Sequence, residues 1–213
     1  MNNLIIFDYD GVIVDSFPTL HQAYIALCKK LNVNCTENLE EFKKVFGRNS
    51  TEAYKNLGID PKYPGLHDMF YEEILKQEPK LFDGITEVIA ELSEKYQLVV
   101  ISTAIVEELQ NKLKKYDLLK YFKKVIGTRI EGQRYNKDRF IEGVVTEFNV
   151  NKADVILIGD RENDFDDATK AGLKKIILVE YGWGYNKDNV PKKEFLVNEP
   201  KDILKAVSLY EES

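Results

Sequence analysis

Residues 4–11 read LIIFDYDG, a short apolar run followed at once by two aspartates and a glycine. The run over residues 4–7 is continuously apolar instead of alternating, which is typical of a strand covered on both faces. Runs of the same character occur at residues 98–101, 155–158 and 175–179, with a weaker one at 124–126. We therefore expect the chain to be built around the buried strands of a parallel sheet.

Helical patterns separate these runs from about residue 84 onward, so strands and helices alternate in that part of the chain. The patterns cover residues 85–96, 105–116, 137–148 and 164–171. Alternation of this kind favours an α/β fold with a parallel, Rossmann-like sheet flanked by helices.

Residues 16–81 interrupt the alternation, because they contain no convincing strand pattern. Helical patterns occupy this interval at residues 18–31, 37–46, 51–57 and 66–76, and glycines and prolines separate them. The sequence therefore predicts an α/β core made of residues 1–15 and 82–213, with an inserted α-helical cap domain at residues 16–81.

The composition limits the kinds of partner that the protein can have. The 213 residues carry a formal charge of −6 at pH 7, which argues against binding to nucleic acid. No apolar stretch approaches the roughly 20 residues that cross a bilayer, and the N-terminus lacks the basic region and apolar core of a signal peptide. We predict a cytoplasmic protein without nucleic-acid or membrane partners, in which Cys28 and Cys35 stay reduced. The sequence leaves the oligomeric state open.

Polar side chains follow the predicted strands at their carboxyl ends, where ligands gather in parallel sheets. They are Asp8 and Asp10 after the first strand, Ser102 after the second, and Asp160 and Asp164 after the strand that ends at residue 158. Lys137, at the start of a helical pattern, can bring a cation to the same edge. We expect these side chains to form one cluster.

These residue types are the ones that phosphoryl transfer requires. A cluster of carboxylates is costly unless a cation neutralises it, and a site made only of oxygen ligands suits Mg²⁺. One carboxylate can attack phosphorus and form an aspartyl phosphate, while a carboxyl group two residues further on can protonate the leaving oxygen and then activate water. A lysine and a hydroxyl can stabilise the charge on the phosphoryl oxygens.

Four parts of the sequence resemble the motifs of the haloacid dehalogenase-like hydrolases. Residues 7–16, FDYDGVIVDS, resemble the first motif, and residues 159–164, GDREND, resemble the fourth. Ser102 corresponds to the second motif and Lys137 to the third. The motifs follow the family's order along the whole chain, and the predicted helical insertion falls where many members carry an α-helical cap.

The resemblance implies a role for each matching carboxylate. Asp8 would be the nucleophile and a Mg²⁺ ligand, and Asp10 would be the general acid and base, with its backbone carbonyl on the metal. Asp160 would bind Mg²⁺, and Asp164 would support the ion directly or through water.

The resemblance also implies how the substrate is held. Ser102 and Lys137 would bind the phosphoryl group, with help from the backbone amide of Tyr9. In the predicted cap, Arg48 lies in a polar break between helices and would suit an anionic group of the substrate, although an ordinary helix-capping turn is the alternative. Residues 181–185 follow the last predicted strand, where they either border the pocket or pack a loop.

Single residues separate the reactions that this framework supports. Asp10 argues against dehalogenation, because dehalogenases of the family lack this carboxyl group. The pair Gly159 and Asp160 resembles that of phosphoglycolate phosphatase-like members. We therefore predict a Mg²⁺-dependent phosphatase that hydrolyses a small phosphorylated metabolite through an aspartyl phosphate.

Two other functions are compatible with part of this pattern. The first is a sugar phosphomutase that resembles beta-phosphoglucomutase. The second is a non-enzymatic, phosphoryl-accepting signalling module, but the helical insertion and the late GDREND segment argue against it. In the phosphatase, we expect the cap to close over the core and exclude water from the first step.

Overall fold

The computed structural model describes residues 3–47, 50–128, 136–183 and 196–211. The chain divides into two compact units, one made of Met1–Asp15 and Leu81–Ser213 and the other of Ser16–Lys80. Arg48, the predicted substrate contact of the helical insertion, lies outside the described residues. None of the described helices combines the length and the apolar character that crossing a bilayer requires.

The larger unit contains a parallel sheet. The strands are β1 (Leu4–Phe7), β2 (Val14–Asp15), β3 (Lys80–Leu81), β4 (Gln97–Ile105), β5 (Phe122–Thr128), β6 (Val155–Gly159), β7 (Lys175–Val179) and β8 (Leu196–Val197). In the described part of the chain, six of them form the sheet in the order β5-β4-β1-β6-β7-β8, whereas β2 and β3 form a separate pair. All neighbouring strands of the larger sheet run parallel.

Helices cover both faces of this sheet, which explains why its strands are continuously apolar. The α-helices are α1 (Phe17–Lys30), α2 (Leu39–Phe46), α3 (Ser50–Asn56), α4 (Leu66–Ile74), α5 (Ile85–Lys95), α6 (Val106–Lys115), α7 (Lys137–Glu147), α8 (Glu162–Lys170) and α9 (Asp202–Glu211). Side chains of α5, α6 and α9 pack on one face with Ile5 and Phe7. Side chains of α7 and α8 pack on the other face with Leu4 and Ile6.

The position of β1 between β4 and β6 determines where the ends of these strands meet. Phe7 lies beside Val100 of β4 and Ile158 of β6, so Asp8 is level with the last residue of β6. The chain leaves β1 towards β4 on one side and leaves β6 towards β7 on the other. Such a junction is a topological switch point, where open α/β sheets bind ligands. The predicted α/β fold, with its flanked parallel sheet and inserted helices, is confirmed.

Aromatic side chains form the core of the smaller, helical unit. The ring of Tyr24 in α1 lies 5.3 Å from that of Phe42 in α2 and 4.8 Å from that of Phe70 in α4. His21 stacks on Phe42 at 4.5 Å and bonds a backbone carbonyl through Nε2, so its contacts are structural. Both cysteines are free thiols.

Prediction and structure differ at α8 and at the shortest elements. Helix α8 begins two residues before the predicted start, because the Asp164 side chain accepts a hydrogen bond from the Arg161 N–H and so caps an earlier turn. Strands β2, β3 and β8 have two residues each and α9 was not predicted. In α9, the Tyr210 hydroxyl accepts a hydrogen bond of 3.0 Å from the Ile176 N–H and donates one of 3.1 Å to the Ile176 carbonyl.

Candidate active site

Three carboxylates meet at the switch point between β1 and β6. Asp8 directly follows β1, Asp160 directly follows β6, and Asp164 lies in the first turn of α8. Each contributes one carboxylate oxygen to a group in which these atoms lie within 4.8 Å of one another. The structure therefore brings together three of the predicted metal ligands.

Lys137 adds a positive charge to this cluster. It is the first residue of α7, and its side chain is only 7% exposed. Its Nζ lies 3.2 Å from Asp8 Oδ1, and it also forms an ion pair with Asp164. Lys124, a possible alternative on the nearby strand β5, instead pairs with Glu147 at the surface. The lysine that the sequence pattern selected is therefore the one that lies beside Asp8.

Asp164 connects the loop after β6 to the start of α8. Its Oδ2 accepts hydrogen bonds from the backbone N–H groups of Asp160 at 3.2 Å and Arg161 at 3.0 Å. Its Oδ1 accepts a hydrogen bond from Lys137. A glycine is required at position 159, because a Cβ there would lie 2.4 Å from the Cβ of Asp164. Asp164 therefore holds the loop and the lysine in place, and both of its carboxylate oxygens are already engaged.

Asp160 is completely buried, and its two carboxylate oxygens have different surroundings. Oδ2 accepts a hydrogen bond of 2.8 Å from the backbone N–H of Trp183. Oδ1 has no hydrogen-bond partner among the described residues. Burial raises the pKa of Asp160 well above its ordinary value, and the nearby charges of Asp164 and Asp8 act in the same direction. An unpartnered carboxylate oxygen in the interior is costly, and a cation beside it would remove that cost.

Asp8 lies close to the other two carboxylates of the cluster and to the ammonium group of Lys137. Its Oδ1 accepts a hydrogen bond of 2.9 Å from the Tyr9 N–H, so the amide that was predicted to bind a phosphoryl group here donates to Asp8. Burial raises the pKa of Asp8 to about 7, and the positive charge of Lys137 partly offsets this effect. One lysine does not balance three crowded carboxylates, so the donor set fits a hard divalent cation such as Mg²⁺.

Asp10 and Ser102 form a second pair at the same edge of the sheet. Ser102 is 1% exposed, and its hydroxyl donates a hydrogen bond of 3.3 Å to Asp10 Oδ2 while accepting one of 3.1 Å from the Ala104 N–H. Ser102 lies within β4, which continues to Ile105, and not after the strand as predicted. The hydroxyl orients the Asp10 carboxyl group, which would suit the predicted role of Asp10 as general acid and base. The contact of Ser102 with a phosphoryl group stays a prediction.

The contact of Gly11 with Asp160 was not predicted from the sequence, which also left open whether residues 181–185 border the pocket. The segment after β7 reaches Asp160 through the backbone N–H of Trp183, which no residue type would reveal. Gly11 packs directly on Asp160, since a Cβ at this position would lie 2.0 Å from Asp160 Oδ2. The glycines at positions 11 and 182 are the signal that the sequence carries for these close approaches.

We expect Tyr9→Phe to be as stable as the wild type, or slightly more stable. The Tyr9 side chain is 1% exposed, and its hydroxyl has no hydrogen-bond partner among the described residues. Replacing it removes a buried polar group whose desolvation costs about 1–3 kcal/mol. Thermal and urea unfolding of the metal-free protein would measure the change.

Tyr181→Phe is the matched control for this substitution. The Tyr181 hydroxyl donates a hydrogen bond of 3.1 Å to the Val12 carbonyl, so its removal should lower the free energy of unfolding by about 1 kcal/mol. Equal destabilisation by both substitutions would show that the Tyr9 hydroxyl is hydrogen-bonded in solution and would contradict the prediction.

A parallel sheet that gathers carboxylates, a lysine and a hydroxyl at its carboxyl edge is the arrangement of an enzyme acting on phosphate groups. The family model of the haloacid dehalogenase-like hydrolases matches residues 5–178. The chain belongs to this family, as its motifs predicted.

Two curated relatives are enzymes that hydrolyse phosphate compounds. The phosphoglycolate phosphatase of Synechococcus elongatus is 26% identical over 212 residues, which cover 96% of each chain. Pyrophosphatase PpaX of Listeria innocua is 26% identical over 172 residues, which cover 78% of each chain. A solved haloacid dehalogenase-like family hydrolase from Streptococcus pneumoniae has a TM-score of 0.85 at 20% identity, covering 96% of this chain and 98% of that one. The predicted enzyme class is confirmed, and the chain is a phosphatase.

Proposed function

We propose that this phosphatase uses Mg²⁺ to hydrolyse a small phosphorylated metabolite through an aspartyl phosphate on Asp8. The observation that carries the proposal is the position of Asp8, which lies 3.2 Å from Lys137 and shares a group of carboxylate oxygens with Asp160 and Asp164. Two of the relatives are named after phosphoglycolate and pyrophosphate, which are both small. These names support a small phosphorylated metabolite as the substrate.

Asp8 and Asp160 are the residues that would hold the Mg²⁺ ion directly. Asp160 Oδ1 is buried without a hydrogen-bond partner among the described residues, and Asp8 belongs to the same group of oxygens. The Asp164 carboxylate already accepts hydrogen bonds from two backbone N–H groups and from Lys137, so we expect it to act through water or through the loop. Bound Mg²⁺ would reduce the repulsion between these carboxylates and an incoming phosphate ester.

The two aspartates after β1 would carry out the covalent chemistry in two steps. In the first, a carboxylate oxygen of Asp8 forms a bond to phosphorus, the bond from phosphorus to the ester oxygen breaks, and Asp10 gives a proton to the leaving oxygen. In the second, Asp10 takes a proton from water, whose oxygen attacks phosphorus, displaces Asp8 and releases inorganic phosphate. The hydrogen bond of 3.3 Å from Ser102 would keep Asp10 in one orientation for both steps.

Lys137 would stabilise the phosphoryl group while that group is attached to Asp8. Its ammonium group is held by Asp164 and lies 3.2 Å from Asp8 Oδ1, so it is already next to the reacting atoms. A charge that is fixed in advance stabilises the transition state without reorganisation of the chain. Ser102 would add a hydroxyl contact to the same group.

We also propose that the helical insertion acts as a cap domain, which is typical of the family. Ser16–Lys80 form a compact unit with an aromatic core of their own, which supports movement of this unit as one body. A cap would exclude water during the first step and contact the part of the substrate that differs between metabolites. Arg48 stays the predicted contact for an anionic group there.

We expect turnover to require Mg²⁺. Wild-type protein should release nitrophenol and inorganic phosphate from p-nitrophenyl phosphate in the presence of Mg²⁺. Chelation by EDTA should lower the rate by roughly 100-fold or more, because charge stabilisation by the metal contributes several kcal/mol. Renewed addition of Mg²⁺ should restore the rate. Two colorimetric assays, one for each product, measure the effect.

A pair of substitutions gives this experiment its control. Asp160→Asn should raise the Mg²⁺ concentration needed for half-maximal activity, whereas Asp166→Asn makes the same charge change at an exposed position of α8 and should not. Full turnover in EDTA would contradict the proposal. Release of free phosphate from a sugar phosphate would separate a phosphatase from a phosphomutase, which converts its substrate into an isomer instead.

A further inference from the structure

The Asp160 side chain lies in a narrow slot between two stretches of backbone. On one side is Gly11, where a Cβ would lie 2.0 Å from Asp160 Oδ2. On the other side is Gly182, where a Cβ would lie 2.4 Å from the Asp160 Cβ and 2.5 Å from the Gly11 carbonyl oxygen. The two glycine backbones therefore leave room for the Asp160 side chain in its present position and little room for it to rotate.

Residues 181–183, here called the 181–183 segment, form one wall of this slot and are anchored to the core. The Tyr181 hydroxyl donates a hydrogen bond of 3.1 Å to the Val12 carbonyl, and its ring lies 4.6 Å from that of Phe82. The Arg161 guanidinium lies 5.8 Å from the centre of the Trp183 ring, within the range of a cation–π interaction. These contacts connect the segment to the loops that follow β1 and β6.

We propose that the 181–183 segment is a positioning element for the metal site. The Trp183 N–H binds one oxygen of Asp160, and the glycine slot prevents rotation of the carboxylate, so the other oxygen is kept available for Mg²⁺. When a group that orients a metal ligand without touching the metal is altered, the affinity for the metal typically falls by about 10- to 100-fold. The inference rests on the proposed function, because it requires Asp160 to be a Mg²⁺ ligand.

Gly182→Ala is the substitution that tests this role. Gly182 is not among the glycines with positive φ, so alanine can adopt its backbone conformation, and the effect of the change comes from the added Cβ. That Cβ would meet the backbone oxygen of Gly11 and the Cβ of Asp160, neither of which can move aside as the end of a flexible side chain can. Gly143→Ala in α7 is the matched control, because its added Cβ would meet nothing within 4 Å.

We expect Gly182→Ala to weaken Mg²⁺ binding by about tenfold or more, measured by isothermal titration calorimetry in the absence of substrate. The half-saturating Mg²⁺ concentration for turnover should rise by a similar factor, and kcat at saturating Mg²⁺ should fall less. Gly143→Ala should match the wild type in both measurements. Lower thermal stability of Gly182→Ala with an unchanged Kd for Mg²⁺ would overturn the inference, because it would show a structural role only.

Wild-type protein gives a second test, which does not depend on the folding of the variant. Trp183 is the single tryptophan of the chain, so tryptophan fluorescence reports on the segment alone. Its emission should change with Mg²⁺ and reach half of the full change at the calorimetric Kd, and this response should be lost in Asp160→Asn. Binding of Mg²⁺ without a change in emission would overturn the inference. Failure of the wild type to bind Mg²⁺ would instead overturn the proposed function.

Discussion

Asp8→Asn is expected to abolish phosphate release, with a loss of roughly 10⁴-fold or more. Asparagine fills the same space, but its amide does not attack phosphorus as a carboxylate does, so the covalent step cannot occur. The fold should survive, because Asp8 lies among crowded carboxylates and a neutral side chain lowers their mutual repulsion. In EDTA, the variant should therefore unfold at or above the wild-type Tm. Rates with p-nitrophenyl phosphate and thermal melts measure the two effects.

The covalent intermediate allows a direct check of this assignment. Wild-type enzyme mixed with substrate and stopped in acid should carry phosphate on the peptide that contains Asp8, and Asp8→Asn should carry none. Asp166→Asn, with the same change of side chain at an exposed position, should behave as the wild type. Wild-type turnover by Asp8→Asn, or a phosphate on another peptide, would refute Asp8 as the nucleophile.

Asp10→Asn is expected to separate the two steps of the reaction. Nitrophenolate leaves without a proton, so phosphorylation of Asp8 should continue, whereas the second step lacks the base that activates water. A burst of about one nitrophenolate per enzyme should precede a steady rate that is roughly 10²–10⁴-fold below the wild type. With an alkyl phosphate, whose leaving oxygen needs a proton, the burst should be absent. Rapid mixing with optical detection measures the burst.

The difference between aryl and alkyl phosphates distinguishes an acid and base role of Asp10 from a role in the fold alone. A residue that only supports the fold would lower both rates by the same factor and would give no burst. The same loss for aryl and alkyl phosphates would therefore remove Asp10 from the role of acid and base. Ser102→Ala should give a smaller effect than Asp10→Asn, because it removes the hydrogen bond that orients Asp10 but leaves the carboxyl group itself.

Much of the fold could be predicted because its central strands are buried on both faces. Strands β1 and β7 have the bounds that were predicted, since β1 is apolar throughout and β7 is apolar at every residue after Lys175. Strand β8 has two residues and gives no pattern. Helix α9 does carry a helical spacing of apolar residues, at Ile203, Ala206, Val207 and Tyr210, and a count of that period would have found it.

Site residues whose side chains come directly after a buried strand could be predicted from the sequence. Contacts that backbone N–H groups make in the site could not. Asp8 and Asp160 stand directly after buried strands, so the sheet itself brings them together. The two hydrogen bonds to Asp164 Oδ2, and the one from the Trp183 N–H to Asp160, come from backbone N–H groups, which every residue but proline carries. Only the folded arrangement selects which of these groups is used.

The hydroxyl of Tyr210 also occupies backbone hydrogen-bonding groups of β7. Among the described residues, β8 pairs with β7 at Leu178 and Val179, and no described strand lies beside the beginning of β7 on that side. At Ile176, the Tyr210 hydroxyl bonds both the N–H and the carbonyl that a strand from another molecule would use. Exposed strand edges are where proteins aggregate by edge-to-edge pairing. At Ile176, edge-to-edge pairing would therefore have to displace the two hydrogen bonds of the Tyr210 hydroxyl.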